Sequence, residues 1–131
     1  MRTTERGAWG ERCAVAALQQ RGARVIARNW RWRRCELDVV AVEAGVTVFA
    51  EVKVRAATSS DPFWASIDVR KQHRLLCAAE AFLRSHPEAP AFARFDFVCI
   101  AGHPREFVLH HVCDVFVPVP IALSPAIFTP Q

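Results

Sequence analysis

Asp38, Glu51 and Lys53 are the residues of this 131-residue chain whose types and spacing could do chemistry. They lie in the stretch Glu36 to Lys53, ELDVVAVEAGVTVFAEVK, which reads as two β-strands joined by a tight turn. Val39, Val40, Val42, Val46, Val48, Phe49 and Val52 suit a pleated sheet, and Gly45 can take the positive φ a hairpin loop demands. A loop symmetric about Ala44-Gly45 pairs residues whose numbers sum to 89, which sets Asp38 opposite Glu51. Alternation then puts Glu36 on the face of Asp38, and Lys53 on the face of Glu51. Opposed carboxylates repel. A divalent cation between them removes that penalty, and hard oxygen ligands suit Mg2+ or Mn2+. Lys53 could orient a water or stabilise charge on a phosphate, so the chemistry would be phosphodiester cleavage. The plain alternative is a solvent-facing hairpin with alternating charges.

The elements that must position these residues follow from periodicity. Residues 4–21 read as a helix closed by Gly22, with Ala14, Val15 and Leu18 as its apolar stripe. Glu11 falls on that inward face, as a salt-bridge partner or a metal-site ligand. Gly7 and Gly10 weaken the helix, which close approach to a strand or to a DNA backbone would explain. Residues 24–30 predict a first strand, then a basic turn, Arg31-Trp32-Arg33-Arg34, in which arginines could neutralise phosphates. Trp32 could stack on a base or fold over the sheet edge. After the hairpin, 56–66 reads as a loop carrying Phe63-Trp64, able to wedge a DNA branch or to pack under the next helix. Residues 67–85 predict a second helix whose early turns hold Lys71 and Arg74; a cation there opposes the helix dipole and suits a phosphate contact. Strands follow over 91–100, the expected parallel partner of the Glu51 strand through a crossover, and over 106–111. Residues 112–116 suggest a short helical turn. The segment 117–131, with four prolines and no charge, reads as an extended arm outside a domain of residues 1–116.

Composition narrows the class. The chain is 52% hydrophobic, which fits one globular domain with its own core. No apolar run is long enough to span a membrane and the first residues do not resemble a signal peptide, so a cytoplasmic protein is expected. Net charge is +4, and 15 of the 17 basic residues are arginine, a bias that suits phosphate recognition or reflects a GC-rich genome. Lys53 and Lys71 are the only lysines. Five cysteines form no C-x-x-C pair and read as reduced thiols. His110, His111 and Cys113 match no usual zinc spacing.

An acid, a gap of about a dozen residues and then Glu-x-Lys resembles the PD-(D/E)xK, or restriction-endonuclease-like, nucleases. The chain is similar to the YraN-like family of predicted bacterial endonucleases, which resemble archaeal Holliday-junction resolvases. The match rests on G-x-x-G-E at Gly7 to Glu11, R-N at Arg28-Asn29, E-L-D at Glu36 to Asp38, F-A-E-V-K-V-R at Phe49 to Arg55, K-Q-H-R-L at Lys71 to Leu75 and R-F-D at Arg94 to Asp96. Cys35 departs from it, since the family usually has glycine there.

The resemblance implies a single α/β domain, a mixed sheet of about five strands flanked by helices. It implies Mg2+ or Mn2+ on Asp38 and Glu51, with the Val52 carbonyl, Glu11 and Glu36 as further ligands and Lys53 as the catalytic lysine. Arg28, Arg31, Arg33, Arg34, Arg55, Lys71 and Arg74 are the candidates to hold nucleic acid, with DNA as the expected partner. A non-catalytic nucleic-acid-binding protein of the same fold, and a dimer built on a sheet edge or the apolar arm, are the competing classes. No base-reading motif is present, so recognition would be by shape.

Overall fold

A computed structural model describes residues 2–59 and 67–115. Helix α1, Thr3–Gln20, leads into strand β1, Arg24–Trp32, β2, Cys35–Glu43, and β3, Val46–Arg55. Helix α2, Val69–Ser85, then crosses to β4, Ala93–His103, and β5, Glu106–Val112, follows. The five strands form one sheet in chain order. β3 and β4 run parallel and the other neighbours antiparallel. This is the mixed α/β sheet flanked by helices that the restriction-endonuclease-like resemblance implied.

Each face of the sheet buries one helix. Trp9, Ala14 and Leu18 of α1 pack on Val39, Ala41, Val48, Ala50, Val98 and Ile100. On the other face Leu75, Leu76, Ala79 and Phe82 of α2 pack on Leu37, Val40, Phe49 and Phe95. The Phe82 ring is fully buried, edge-on to Trp30 and Phe49 at 5.2 and 5.8 Å. Burying a side chain of this kind contributes roughly 1.5–3 kcal/mol, so α2 is fixed to the site-bearing strands by core contacts.

The hairpin has the expected register: Val39 to Glu43 pair with Ala50 to Val46, partners whose numbers sum to 89. Ala44 and Gly45 both have positive φ, at 49° and 77°, as a type I′ turn requires. Several boundaries differ from the sequence reading. Arg31 and Trp32 belong to β1, Trp32 pairs with Cys35, and the turn is Arg33-Arg34, with Arg33 at φ 58°. β4 runs on to His103 because Phe97 to His103 all pair with β5. Val112 ends β5 and residues 113–115 are not helical, which corrects the predicted helical turn. α2 begins two residues later than expected, where the Asp68 carboxylate accepts a hydrogen bond from Lys71 N–H at 2.9 Å. The loop residues Phe63-Trp64, the boundary at 116 and the arm 117–131 lie outside the described residues.

Gly10 explains how α1 sits so close to the sheet. A Cβ there would run into the Val54 side chain of β3. Gly10→Ala is therefore expected to destabilise the fold by about 1–2 kcal/mol, the overlap outweighing the gain in helix propensity. Urea unfolding checks it; an alanine variant as stable as the parent would show that α1 does not need this approach.

Candidate metal centre

Alternation along β2 breaks at Asp38. Val39 and Ala41 enter the α1-side core, whereas Leu37 and Val40, three apart, both enter the α2-side core. The neighbouring strand is irregular at the same level. The pairing register holds across this point, from Arg28↔Val39 to Trp30↔Leu37, but the intervening Asn29 has φ 51°. Asparagine tolerates this left-handed conformation better than most residues. Asp38 is thereby held where β2 changes faces. Its Oδ2 accepts a hydrogen bond from Val52 N–H at 2.9 Å, tying the two strands together where their backbone pairing has ended at Val39↔Ala50.

Three carboxylates meet there. One oxygen each from Glu11, Glu36 and Asp38 lie within 4.8 Å of one another. Glu11 reaches the group from α1, its Oε2 accepting from Asn29 Nδ2 at 2.9 Å. Glu51 lies on the α2 side, largely shielded, with Oε1 2.7 Å from the Lys71 ammonium. Burial, the Glu51 charge and the nearby Glu11 and Glu36 push the Asp38 carboxyl up from its ordinary 3.8 to about 7, against the lowering effect of the Val52 N–H. Burial works against the charge on Lys71, but its bond to Glu51 more than compensates and raises its pKa. The donors are hard oxygens, crowded and under-neutralised, and they fit a Mg2+ or Mn2+ ion.

Two clefts open on either side of Asp38. One, about 270 Å3, is lined by Arg34, Cys35, Glu36, Asp38, Glu51, Lys71 and Arg74. Burial and the Glu51 charge raise the Cys35 thiol to about 11, so it lines this cleft as an unreactive neutral group. The other, about 250 Å3, includes Thr3, Gly7, Glu11, Asp38 and Lys53. Lys53 is exposed in this second cleft, so the ammonium beside Glu51 is that of Lys71.

The remaining arginine candidates are scattered. Arg31 makes an exposed ion pair with Glu36 at 3.6 Å, and Arg33 lies over the half-buried Trp32 ring at 4.6 Å. Trp32 packs against the α2-side core, the plainer of its two readings. Arg28 is exposed on β1, and Arg55 is half-buried with its carbonyl accepting from Arg6. Sequence reasoning gave no role to Asn29, although R-N was among the matched motifs; a lone asparagine inside a strand was the available signal.

A second polar group gathers Asp96, His111 and Cys113 on β4, β5 and the residues just after β5. Asp96 accepts from Arg94 at 3.0 and 3.1 Å, from His111 Nε2 at 2.8 Å and from Asp114 N–H at 3.0 Å. Burial alone would raise its carboxyl, but these bonds hold it at about 2. Arg21 Nη1 donates to Cys113 Sγ at 3.1 Å. His111 turns the same Nε2 to both Asp96 and Cys113, so the three do not form a nucleophilic relay, which needs both ring nitrogens. Two guanidiniums already satisfy the group, and it reads as a lock between β4, β5 and α1.

With this geometry in place, comparison with known proteins decides the family. The pattern of the uncharacterised protein family UPF0102 matches residues 10–100. This chain belongs to UPF0102. It is similar to a UPF0102 protein of Halorhodospira halophila, 42% identical over 112 residues, covering 86% of this chain and 87% of the relative. A UPF0102 protein of Nitratidesulfovibrio vulgaris is 39% identical over 110 residues, 84% of this chain and 82% of the relative. One from Chlorobium phaeobacteroides is 34% identical over 117 residues, 85% and 93%. The family carries no established activity in its description. Among the described residues no helix is long and apolar enough to cross a membrane.

The raised Asp38 carboxyl has a consequence for stability. Between pH 3.8 and about 7 the folded state binds more proton at Asp38 than the unfolded chain, so this contribution falls as pH rises through that window. Asp38→Asn is expected to stabilise the metal-free protein at pH 8 by about 1 kcal/mol and to change little at pH 3.5. Mn2+ should raise the melting temperature of the wild type more at pH 8 than at pH 5. Thermal melts with and without EDTA test both; destabilisation by Asp38→Asn at pH 8 would contradict the crowding.

Proposed function

We propose that this UPF0102 protein is a metal-dependent endonuclease that hydrolyses phosphodiesters in structured or branched DNA. The observation that carries the reading is the gathering of Glu11, Glu36 and Asp38, with Glu51 alongside, beside a cleft lined by Arg34, Lys71 and Arg74. Asp38, Glu51, Glu11 and Glu36 would hold Mg2+ or Mn2+, with the Val52 carbonyl as a further ligand. Bound there, the ion supplies Lewis-acid charge for an in-line displacement at phosphorus and a more acidic water.

The chain's own residues do the rest. Asn29 holds the Glu11 carboxylate toward Asp38, and the Val52 N–H holds Asp38. Lys53 orients the attacking water or stabilises charge on the phosphate. Arg34, Lys71 and Arg74 hold the backbone, arginine bidentately and lysine as a point charge. Lys71 also neutralises Glu51 until substrate and ion arrive. Recognition is by nucleic-acid shape, since the residues at the cleft are phosphate-binding in type.

Cleavage of a labelled four-way junction, duplex, flap and single strand with Mg2+ or Mn2+ tests the reading. Metal-dependent cutting is expected on at least one substrate, to fall at least 100-fold in Asp38→Asn and in Lys53→Ala, with DNA binding kept within a few-fold. Binding without cutting by the folded wild type would favour a non-catalytic binding module. Cutting that survives both substitutions would place the activity elsewhere.

A further inference from the structure

We infer that the Gly7 cleft is a second nucleotide subsite, which takes the sugar–phosphate on the far side of the scissile bond from Arg34, Lys71 and Arg74. The inference rests on the nuclease reading of Asp38. It starts from a glycine with no structural reason to be one. Of the chain's five glycines, Gly10 is packed against Val54, and Gly22, Gly45 and Gly102 have positive φ. Gly7 sits within α1 without positive φ, and a Cβ there would meet no atom of its described surroundings within 4 Å. Glycine inside a helix weakens it, and here neither the backbone conformation nor the packing needs it.

The open side of Gly7 faces a cleft. It shares that cleft, about 250 Å3, with Thr3, Lys53, Val54 and the acids Glu11 and Asp38. Arg6 lines it too, but its guanidinium is held by the carbonyls of Arg55 and Gly102, at 3.1 and 2.9 Å. The chemistry left to a ligand is an ammonium and a hydroxyl for a phosphate, an apolar wall at Val52 and Val54 for a sugar, and a helix surface without a side chain for close approach. Somewhat smaller than the usual small-molecule cleft, it is sized for one backbone unit and no more. Asp38 lines both this cleft and the one holding Arg34, Lys71 and Arg74. A single strand laid through both passes a phosphate over Asp38 with backbone on each side, the arrangement an endonuclease needs.

Gly7→Ala and Gly7→Leu in the full chain test this, with melting temperature, binding of a fluorescein-labelled four-way junction and of a labelled single strand, and cleavage in Mg2+. Gly7→Ala is expected to raise the melting temperature by a few degrees, yet to weaken binding or raise KM about 3- to 10-fold. Gly7→Leu should fold and lose more than 10-fold. If the wild type binds and cuts and both variants match it, the subsite is wrong while the nuclease stands. A wild type that neither binds nor cuts overturns both. Loss of folding stability in Gly7→Ala would show a structural need for glycine and overturn the subsite as well.

Discussion

Like charges crowded at the edge of a buried sheet are the constraint on which the rest of this structure depends. Glu11, Glu36, Asp38 and Glu51 arrive from α1, β2 and β3, and a fold that sought only stability would not gather them. Within the protein the repulsion is relieved locally, by Lys71 on Glu51 and Asn29 on Glu11. Both partners come from elements that must be packed before they can help. The two cores therefore serve the site directly: one fixes α1 and Glu11, the other fixes α2 and Lys71.

The two aspartates of the sheet, half-buried Asp38 and buried Asp96, sit in opposite surroundings. Asp96 is ringed by Arg94, His111 and the Asp114 amide, and stays ionised to about pH 2. Asp38 has the Val52 amide and three carboxylate neighbours, and is pushed to about 7. Burial acts in the same direction on both. The sign of the outcome is set by the partners. Asp96 joins strands, whereas Asp38 is left with unmet demand for positive charge, which the proposed metal ion would supply.

Much of this was legible before the structure. The hairpin register followed from Gly45 and the run of valines, because period two leaves no freedom once the turn is placed. The inward place of Glu11 followed from helical spacing, its tie to the acidic group from the family resemblance, and the parallel β3–β4 pair from the intervening helix. The Lys71–Glu51 pair did not, since it depends on how far α2 slides along the sheet, which the packing of Phe82 between Trp30 and Phe49 decides. Nor did the change of faces at Asp38, which lies level with left-handed Asn29 on a neighbouring strand. The place of Lys53, in the cleft toward Gly7 and away from Lys71, was also hidden. Its strand position was right, but strand alternation does not say on which side of Asp38 a long side chain extends.

The measurement that tests the central claim most directly is anomalous scattering from a crystal of the wild-type protein grown or soaked with Mn2+ at pH 8. The account predicts one strong manganese peak with an oxygen of Asp38 at about 2.1 Å and a second carboxylate of the group as co-ligand. Asp38→Asn under the same conditions should remove it. An empty acidic group in a well-diffracting soaked crystal, or a peak at Asp96, His111 and Cys113 in its place, would contradict the account.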